Sequence, residues 1–412
     1  MTISLPTNTA KKDWLMGFRR QLDEELQAIL GWWIRYAKDA ERGGFYGSVN
    51  DANEPDRTAS KGLVLHARAV WTFAAAYRYT GQQQYLAEAT SAFYFLVSAF
   101  SDKTNGGLYW SVDADGNMLD GKKQTYGQAF AIYGLSELYL ASDNRQALDT
   151  AIDIYENLER VAWDKQYGGY IEAFEQDWAP RADFRLSEKE ENLSKTMNTH
   201  LHVIEAYASL YKAWKNPDLA KRIRDLLDIF YDKIIDRTSY RQRLFFTETW
   251  QPVDSIISFG HDIEAAWLLH ECAVVLGDHI YINRFADMAT NMARAATDGL
   301  DADGGLWYEY EAATDHWVRE KHWWPQAEAM VGFFNAWQLS GQDRFLQQTA
   351  HVWTFIKRYI KDTENGEWYW GVTAQLQKME GQDKAGFWKC PYHNSRACIE
   401  LGHRIGQLLS SV

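Results

Sequence analysis

Histidines dominate the residues that could do chemistry. His200, His261 and His322 fall 61 residues apart, and His393 follows 71 residues later. Each stands at or just before a long apolar segment. Other reactive side chains keep them company: Lys61 and Arg68, Tyr126, Asn198 with His202, Glu264 after His261, Trp323, Trp324 and Glu328 after His322, and Trp388 before His393. His200 and His202 are two apart, so on a helix they point about 200° apart and only one faces a common site. A neutral imidazole with a pKa of about 6.5 suits removal of a proton from a carbon next to a carbonyl. The enediolate oxygen so formed needs a cation, and Arg68 is placed to supply it. Glu264 and Glu328 offer another chemistry, glycoside hydrolysis by two carboxylates, but hydrolysis does not call for several histidines. No metal is expected. HEXXH is absent, and His261 with Glu264 at i, i+3 is half of a di-iron helix motif that needs a second copy. His322 and Glu328 are six apart, and "YHNSR" has no carboxylate three residues after its histidine. No GxGxxG or P-loop pattern is present, so no nucleotide cofactor is implied. His270, His279, His316, His351 and His403 follow no pattern and are expected to be structural or exposed.

A repeat must position these residues. Glycine-aromatic turns recur as "RGGFYGSV", "NGGLYWSV", "YGGYIEAF", "DGGLWYEY" and "NGEWYWGV", with their first glycines at 43, 106, 168, 304 and 366. The steps are 62 or 63 residues, and the wide gap from 168 to 304 holds a diverged copy, "RQRLFFTETW" at 241–250. That makes six units, the period of a repeat architecture. Each turn leads into alternating aromatic and β-branched residues, the pattern of a short strand or hairpin. The segments 65–81, 128–142, 199–214, 261–277, 325–341 and 393–409 carry apolar or small residues around most of a helical circumference, so they are expected to be buried nearly all round. A second set, including 284–297 and 344–360, is more polar and is expected outside them. No capping repeat with a polar outer face is evident, which favours closure over a solenoid. The expectation is an all-α fold: one (α/α)6 barrel over 1–412, with short β-hairpins in the loops at one end. Equivalent helix starts then gather at one mouth, where loops build sites.

Composition narrows the partners. The chain has 412 residues, 43 Lys and Arg against 56 Asp and Glu, and a net charge of −13. That argues against a nucleic-acid or anionic-membrane surface, which needs clustered cations. Aromatic residues make up 15%, enough for a large aromatic core with platforms left over for sugar stacking. Cys272, Cys390 and Cys398 form no CxxC and give an odd count, so a reduced cytoplasmic setting with buried thiols is expected. The N-terminus lacks an apolar h-region, and no stretch of about 20 residues is apolar enough to span a bilayer.

Several long blocks, in order along nearly the whole chain, carry a resemblance: "SKGLVLHARAVWTFAAAYR" (60–78), "MNTHLHVIEAY" (197–207), "SFGHDIEAAWLL" (258–269), "HWWPQAEAMVGF" (322–333) and "KAGFWKCPYHNSRAC" (384–398). They resemble the cellobiose 2-epimerase branch of the N-acylglucosamine 2-epimerase superfamily, which also contains members acting on free mannose and glucose. The resemblance implies an (α/α)6 barrel that inverts C2 of a reducing-end glucose or mannose unit without a cofactor, by ring opening and a cis-enediolate. It implies a small carbohydrate partner and a monomer or weak homodimer. By motif, His261 and His393 resemble the two acid/base histidines, and Arg68 the enediolate-stabilising arginine. His202 resembles the histidine that assists at the ring-opening or carbonyl oxygen. Glu264 resembles the carboxylate that orients its neighbouring histidine, and Trp324 and Trp388 the sugar-stacking tryptophans. Tyr126, Asn198 and Glu328 are expected hydroxyl contacts. Two departures bear on the second-sugar subsite: His66 replaces the Asn that precedes Ala-Arg in members acting on cellobiose, and Glu190 falls where those members often carry Asp. The resemblance also admits aldose–ketose isomerisation, as in the related mannose isomerases.

Overall fold

The computed structural model describes residues 8–186, 191–253 and 255–410. Twelve α-helices run through them: α1 Asn8–Trp32, α2 Leu63–Thr80, α3 Gln83–Ala99, α4 Thr125–Ser142, α5 Arg145–Asn157, α6 Met197–Ala213, α7 Pro217–Ile229, α8 Phe259–Leu276, α9 His279–Ala296, α10 Trp323–Ser340, α11 Asp343–Phe355 and α12 Tyr392–Ser410. The even-numbered helices form an inner ring. Each packs on the next, and α12 returns to α2. The odd-numbered helices lie outside, α1 against α12 and each of the others against the inner helix before it. This is the expected (α/α)6 barrel, and the expected inner segments match the inner helices to within three residues at their starts. Burial explains the layering. In α2 every residue from Leu63 to Ala76 is buried, and in α4 every residue from Thr125 to Leu138. The outer α5 and α7 bury only one stripe each. None of the described helices is long and apolar enough to cross a membrane.

Closure joins the two ends of the chain. The Trp33 indole donates to Glu367 at 2.8 Å, the Trp368 indole donates to Glu25 at 2.8 Å, and Val49 bridges Ala385. Each of these contacts spans more than 330 residues, which a solenoid would not bring together.

At the mouth the units are laced by two- and three-residue strands. Lys61–Gly62 pairs with Ser111–Val112, Lys123–Gln124 with Ala173–Phe174, Lys195–Thr196 with Phe245–Phe246, Ile256–Ser258 with Glu309–Glu311, and Lys321–His322 with Gly371–Val372, all antiparallel. The first-named strand of each pair therefore runs straight into an inner helix while holding the next unit. Below the strands sits a ring of buried ion pairs. Lys61 meets Asp39 at 2.8 Å, Lys123 meets Asp102 at 3.0 Å, Lys195 meets Asp164 at 2.6 Å, Lys321 meets Asp301 at 2.7 Å and Lys384 meets Asp362 at 2.6 Å. Lys61, grouped by sequence with the mouth residues, is thus turned away into the wall. The diverged fourth unit substitutes Arg241, which meets Asp262 at 3.1 Å.

A second recurrent device lies at the fourth residue of the inner helices. His66 Nε2, Gln128 Oε1, His200 Nε2, Asp262 Oδ1 and Gln326 Oε1 accept the backbone N–H of Phe45, Leu108, Tyr170, Gln242 and Leu306 at 2.7 to 3.0 Å. In the last unit Asn394 reaches the same place through Glu367. In the first unit this close approach needs a glycine. A Cβ on Gly44, at φ 68°, would lie 2.5 Å from the Phe95 ring and 2.7 Å from His66 Nε2.

Candidate active site

A cavity of about 760 Å³ opens at the mouth. Its walls include nine of the eleven expected site residues: Arg68, Tyr126, Asn198, His202, His261, Glu264, Trp324, Trp388 and His393. They come from all six inner helices and the loop before α12. Glu190 lies outside the described residues. Glu328 is buried but is not on the cavity wall. His66 is also elsewhere: its Nδ1 bonds Gly62 O at 2.8 Å and its Nε2 bonds the Phe45 N–H, so it does not shape a sugar subsite.

Arg68 lies on the floor. Its Nη2 donates to the Tyr126 hydroxyl at 2.9 Å, and its guanidinium lies 4.1 Å from the Phe130 ring centre and 4.9 Å from that of Tyr392. Among the described residues no carboxylate pairs with it, and its Nε has no partner. A cation held by aromatic faces rather than by an anion keeps its charge available for an oxyanion. The Asn198 side chain also leaves its Oδ1 without a partner.

The three histidines are held differently. His202 Nδ1 lies 2.9 Å from Glu205 Oε2, and His393 Nδ1 lies 2.7 Å from Glu328 Oε1. A carboxylate accepts, so each Nδ1 carries the proton and each Nε2 is a free base. His261 Nδ1 instead meets the Ser258 hydroxyl at 2.9 Å. Glu264 does not orient His261, contrary to expectation. One turn further along α8, its Oε1 accepts from Arg396 Nη2 at 2.7 Å. Burial pushes His261 down to about 3, with nearby His202 adding to it, and burial holds His393 well below its ordinary value. Both imidazoles are therefore neutral at neutral pH. Burial and Glu328 beside it push Glu264 upward, while its contact with Arg396 pulls the other way. Trp324 stands between the two histidines, its ring centre 4.7 Å from that of His261 and 5.8 Å from that of His393.

Glu264, Glu328 and His393 bring donor atoms within 4.8 Å of one another, the density of a metal site. The cation in that cluster is Arg396, whose Nη2 is 2.7 Å from Glu264 and 2.6 Å from Glu328. A metal ion would have to displace a guanidinium that already satisfies the carboxylates.

The outer wall was missed by sequence reasoning. Tyr308, Glu309, Glu320 and Trp370 line it, together with His322. His322 Nε2 is 3.1 Å from Glu320, and its ring stacks on Tyr308 at 4.1 Å. These residues sit in and beside the short strands, where no motif marks them. Glu205 and Arg396 were also missed, although a signal existed: each lies three residues after a site histidine, one turn deeper on the same helix face. Opposite, Trp388 rides on a loop pinned at both ends by the buried pairs Lys384–Asp362 and Lys389–Glu367.

The chain is similar to known proteins along nearly its whole length. The cellobiose 2-epimerase of Bacteroides fragilis is 43% identical over 384 residues, covering 93% of this chain and 98% of that protein. The solved cellobiose 2-epimerase from Spirochaeta thermophila superposes with a TM-score of 0.90 at 40% identity, covering 98% of this chain and all of that one. The D-mannose isomerase of Marinomonas mediterranea is 23% identical over 400 residues, covering 92% of this chain and 96% of that protein. Residues 44–397 match the family model of N-acylglucosamine 2-epimerase (GlcNAc 2-epimerase), and the chain belongs to that family.

Proposed function

We propose that this protein is a cofactor-independent sugar 2-epimerase, inverting C2 of a reducing-end glucose or mannose unit. The observation that carries the reading is the pair of neutral imidazoles, His261 and His393, on either side of Trp324 in one cavity with an anion-free Arg68. In the open-chain sugar, the C2–H bond breaks toward one imidazole. Its electrons move into C1–C2 as the carbonyl becomes an enediolate oxygen, which Arg68 stabilises. The other histidine takes up a proton from solvent during turnover and returns it to the opposite face of C2, while the first releases to solvent the proton it removed. Inversion thus needs two bases, and nothing is oxidised or reduced overall. His202, with Nδ1 held by Glu205, assists at the ring or carbonyl oxygen. Trp324 and Trp388 stack the ring, while Tyr126 and Asn198 meet hydroxyls.

The cellobiose 2-epimerase relatives support a β-1,4 disaccharide as substrate, and so does a cavity with a second aromatic wall at Tyr308, His322 and Trp370. Hydrolysis through Glu264 and Glu328 finds no support. Both carboxyls are bound by Arg396, and Glu328 does not reach the cavity.

The test is product analysis of cellobiose, mannose and glucose in heavy water. Epimer carrying deuterium at C2 is expected, because the returning proton comes from a solvent-exchanged imidazole. Ketose as the main product would mean that the proton returns to C1 and would make the protein an aldose–ketose isomerase. No exchange at C2 with any of the three sugars would end the reading.

A further inference from the structure

The carboxylates behind the histidines are not independent of one another. Glu205, on α6, holds His202 with one oxygen and meets Arg396 Nη1 with the other. Glu328, on α10, uses a single oxygen for both His393 Nδ1 at 2.7 Å and Arg396 Nη2 at 2.6 Å. The same Nη2 reaches Glu264, on α8, at 2.7 Å. Tyr392 adds its hydroxyl to Glu205 at 2.8 Å. One fully buried guanidinium on α12 therefore bridges carboxylates from three other helices. Its planar fork is the shape that can do this, since a lysine offers a single nitrogen.

We propose that Arg396 is a positioning residue for the epimerisation. By fixing Glu205 and Glu328 in one rigid frame, it holds His202 and His393 in their Nδ1–H tautomers with Nε2 left as the base. The inference rests on the epimerase reading given above.

The charges around the frame make the argument specific. Arg396 faces Glu205, Glu264 and Glu328, with the phenols of Tyr392 and, on α4, Tyr133 beside them. The second cation, Arg68 on α2, stands across the imidazoles rather than among the carboxylates. A single ammonium in place of the guanidinium fork reaches at most one or two of the three carboxylates and leaves unpaired negative charge directly behind the imidazoles. That charge makes them more basic and frees each carboxylate to rotate off its histidine.

The experiment compares wild-type protein with Arg396→Lys and with the double variant Arg396→Met/Glu205→Gln, which removes one cation and one anion together. Circular dichroism establishes folding. In the folded variants kcat falls by about 100-fold or more, as loss of an outer-shell partner or of tautomer control does, while KM changes by less than about threefold. The acid limb of kcat/KM moves up by about one pH unit in Arg396→Lys. Nitrogen-15 NMR of the histidine rings shows His393 losing its uniform Nδ1–H form. A folded Arg396→Lys protein with an unmoved pH profile and an unchanged His393 tautomer overturns the proposal, whatever its kcat. If wild type exchanges no C2 proton, the epimerase reading has failed, and the tautomer measurement still decides whether Arg396 holds the imidazoles.

Discussion

His66 and His200 have both ring nitrogens committed. His200 Nδ1 bonds Thr196 O at 2.6 Å and its Nε2 accepts the Tyr170 N–H at 2.8 Å. His66 does the same with Gly62 O at 2.8 Å and the Phe45 N–H at 3.0 Å. A carbonyl accepts from Nδ1–H, so Nε2 must keep its lone pair. An imidazolium would turn that acceptor into a donor facing another donor, in a site with no solvent exposure. Burial accordingly pushes both groups down to about 4. In the unfolded chain they titrate near 6.5. Between those values the unfolded state binds protons that the folded state refuses, so the contribution to stability is whole above about 6.5 and is lost as pH falls toward 4. Going from pH 7 to pH 5, that loss is about 2 kcal/mol per histidine and about 4 kcal/mol for the pair. The repeat supplies the perturbation that isolates this effect. Gln128 makes both bonds with a side chain that does not titrate, accepting the Leu108 N–H at 2.9 Å and donating to Leu108 O at 2.7 Å, and Gln326 accepts at 2.7 Å in its own unit. The double variant His66→Gln/His200→Gln should fold, and its urea stability should drop by about 4 kcal/mol less than that of wild type between pH 7 and pH 5. If variant and wild type lose the same stability over that interval, the linkage argument is wrong.

Other perturbations test the cavity and the wall. Arg68→Met orphans no carboxylate, so it should fold normally and lose on the order of 10²- to 10³-fold in kcat, read by epimer formation. The acid limb of kcat/KM should fall clearly below pH 6.5, because burial lowers His261 to about 3 and the base form persists into acid; a midpoint at or above 6.5 would contradict the neutral-imidazole site. Lys123→Met strands Asp102, its partner at 3.0 Å with neither side chain exposed, and should cost about 3–5 kcal/mol in a denaturation titration. Lys221→Met on the outer α7 breaks an i, i+4 pair whose lysine is mostly exposed, and should cost under about 0.5 kcal/mol in the same assay.

The architecture was legible because it is written six times. Asp236 and Tyr240 keep the turn pattern in the fourth unit, where no glycine remains: Tyr240 takes φ 57° and Arg241 replaces the wall lysine. Even without its glycines, then, the copy could be found by its spacing. The site was legible in its residues and less so in their partners. Glu264 follows His261 by one turn, and adjacency suggested a bond. On α8, however, the side chain of Glu264 drops below His261 toward the axis, where Arg396 competes for it, while Ser258 in the strand is free to take Nδ1.

The 61-residue spacing of the histidines mixes different registers. His200, His261 and His322 are 61 apart, yet they are not equivalent. His200 occupies the fourth residue of its inner helix, the place of His66, Gln128, Asp262 and Gln326, and faces the wall. His261 stands one residue earlier in α8 and faces the cavity, and His322 lies in the strand before α10. The register that turns toward the barrel axis is two residues past the wall position: Arg68, Phe130, His202, Glu264, Glu328 and Arg396, one from each inner helix. Two residues on a helix turn the side chain to the opposite face, so each helix start offers one group to the wall and the next group but one to the barrel axis. Five of those six axial residues are charged or titratable, although a barrel centre shielded from water should disfavour them. They persist there because they satisfy one another: the carboxylates share Arg396, Glu205 anchors His202 from one turn deeper on α6, and the aromatic faces of Phe130 and Tyr392 carry Arg68. A wall that is indifferent to sequence beyond a hydrogen-bond acceptor, and an axis where each residue depends on the others, explain why the fold tolerated His, Gln and Asp at one register while a fixed set of charged groups gathered at the other, behind His261 and His393.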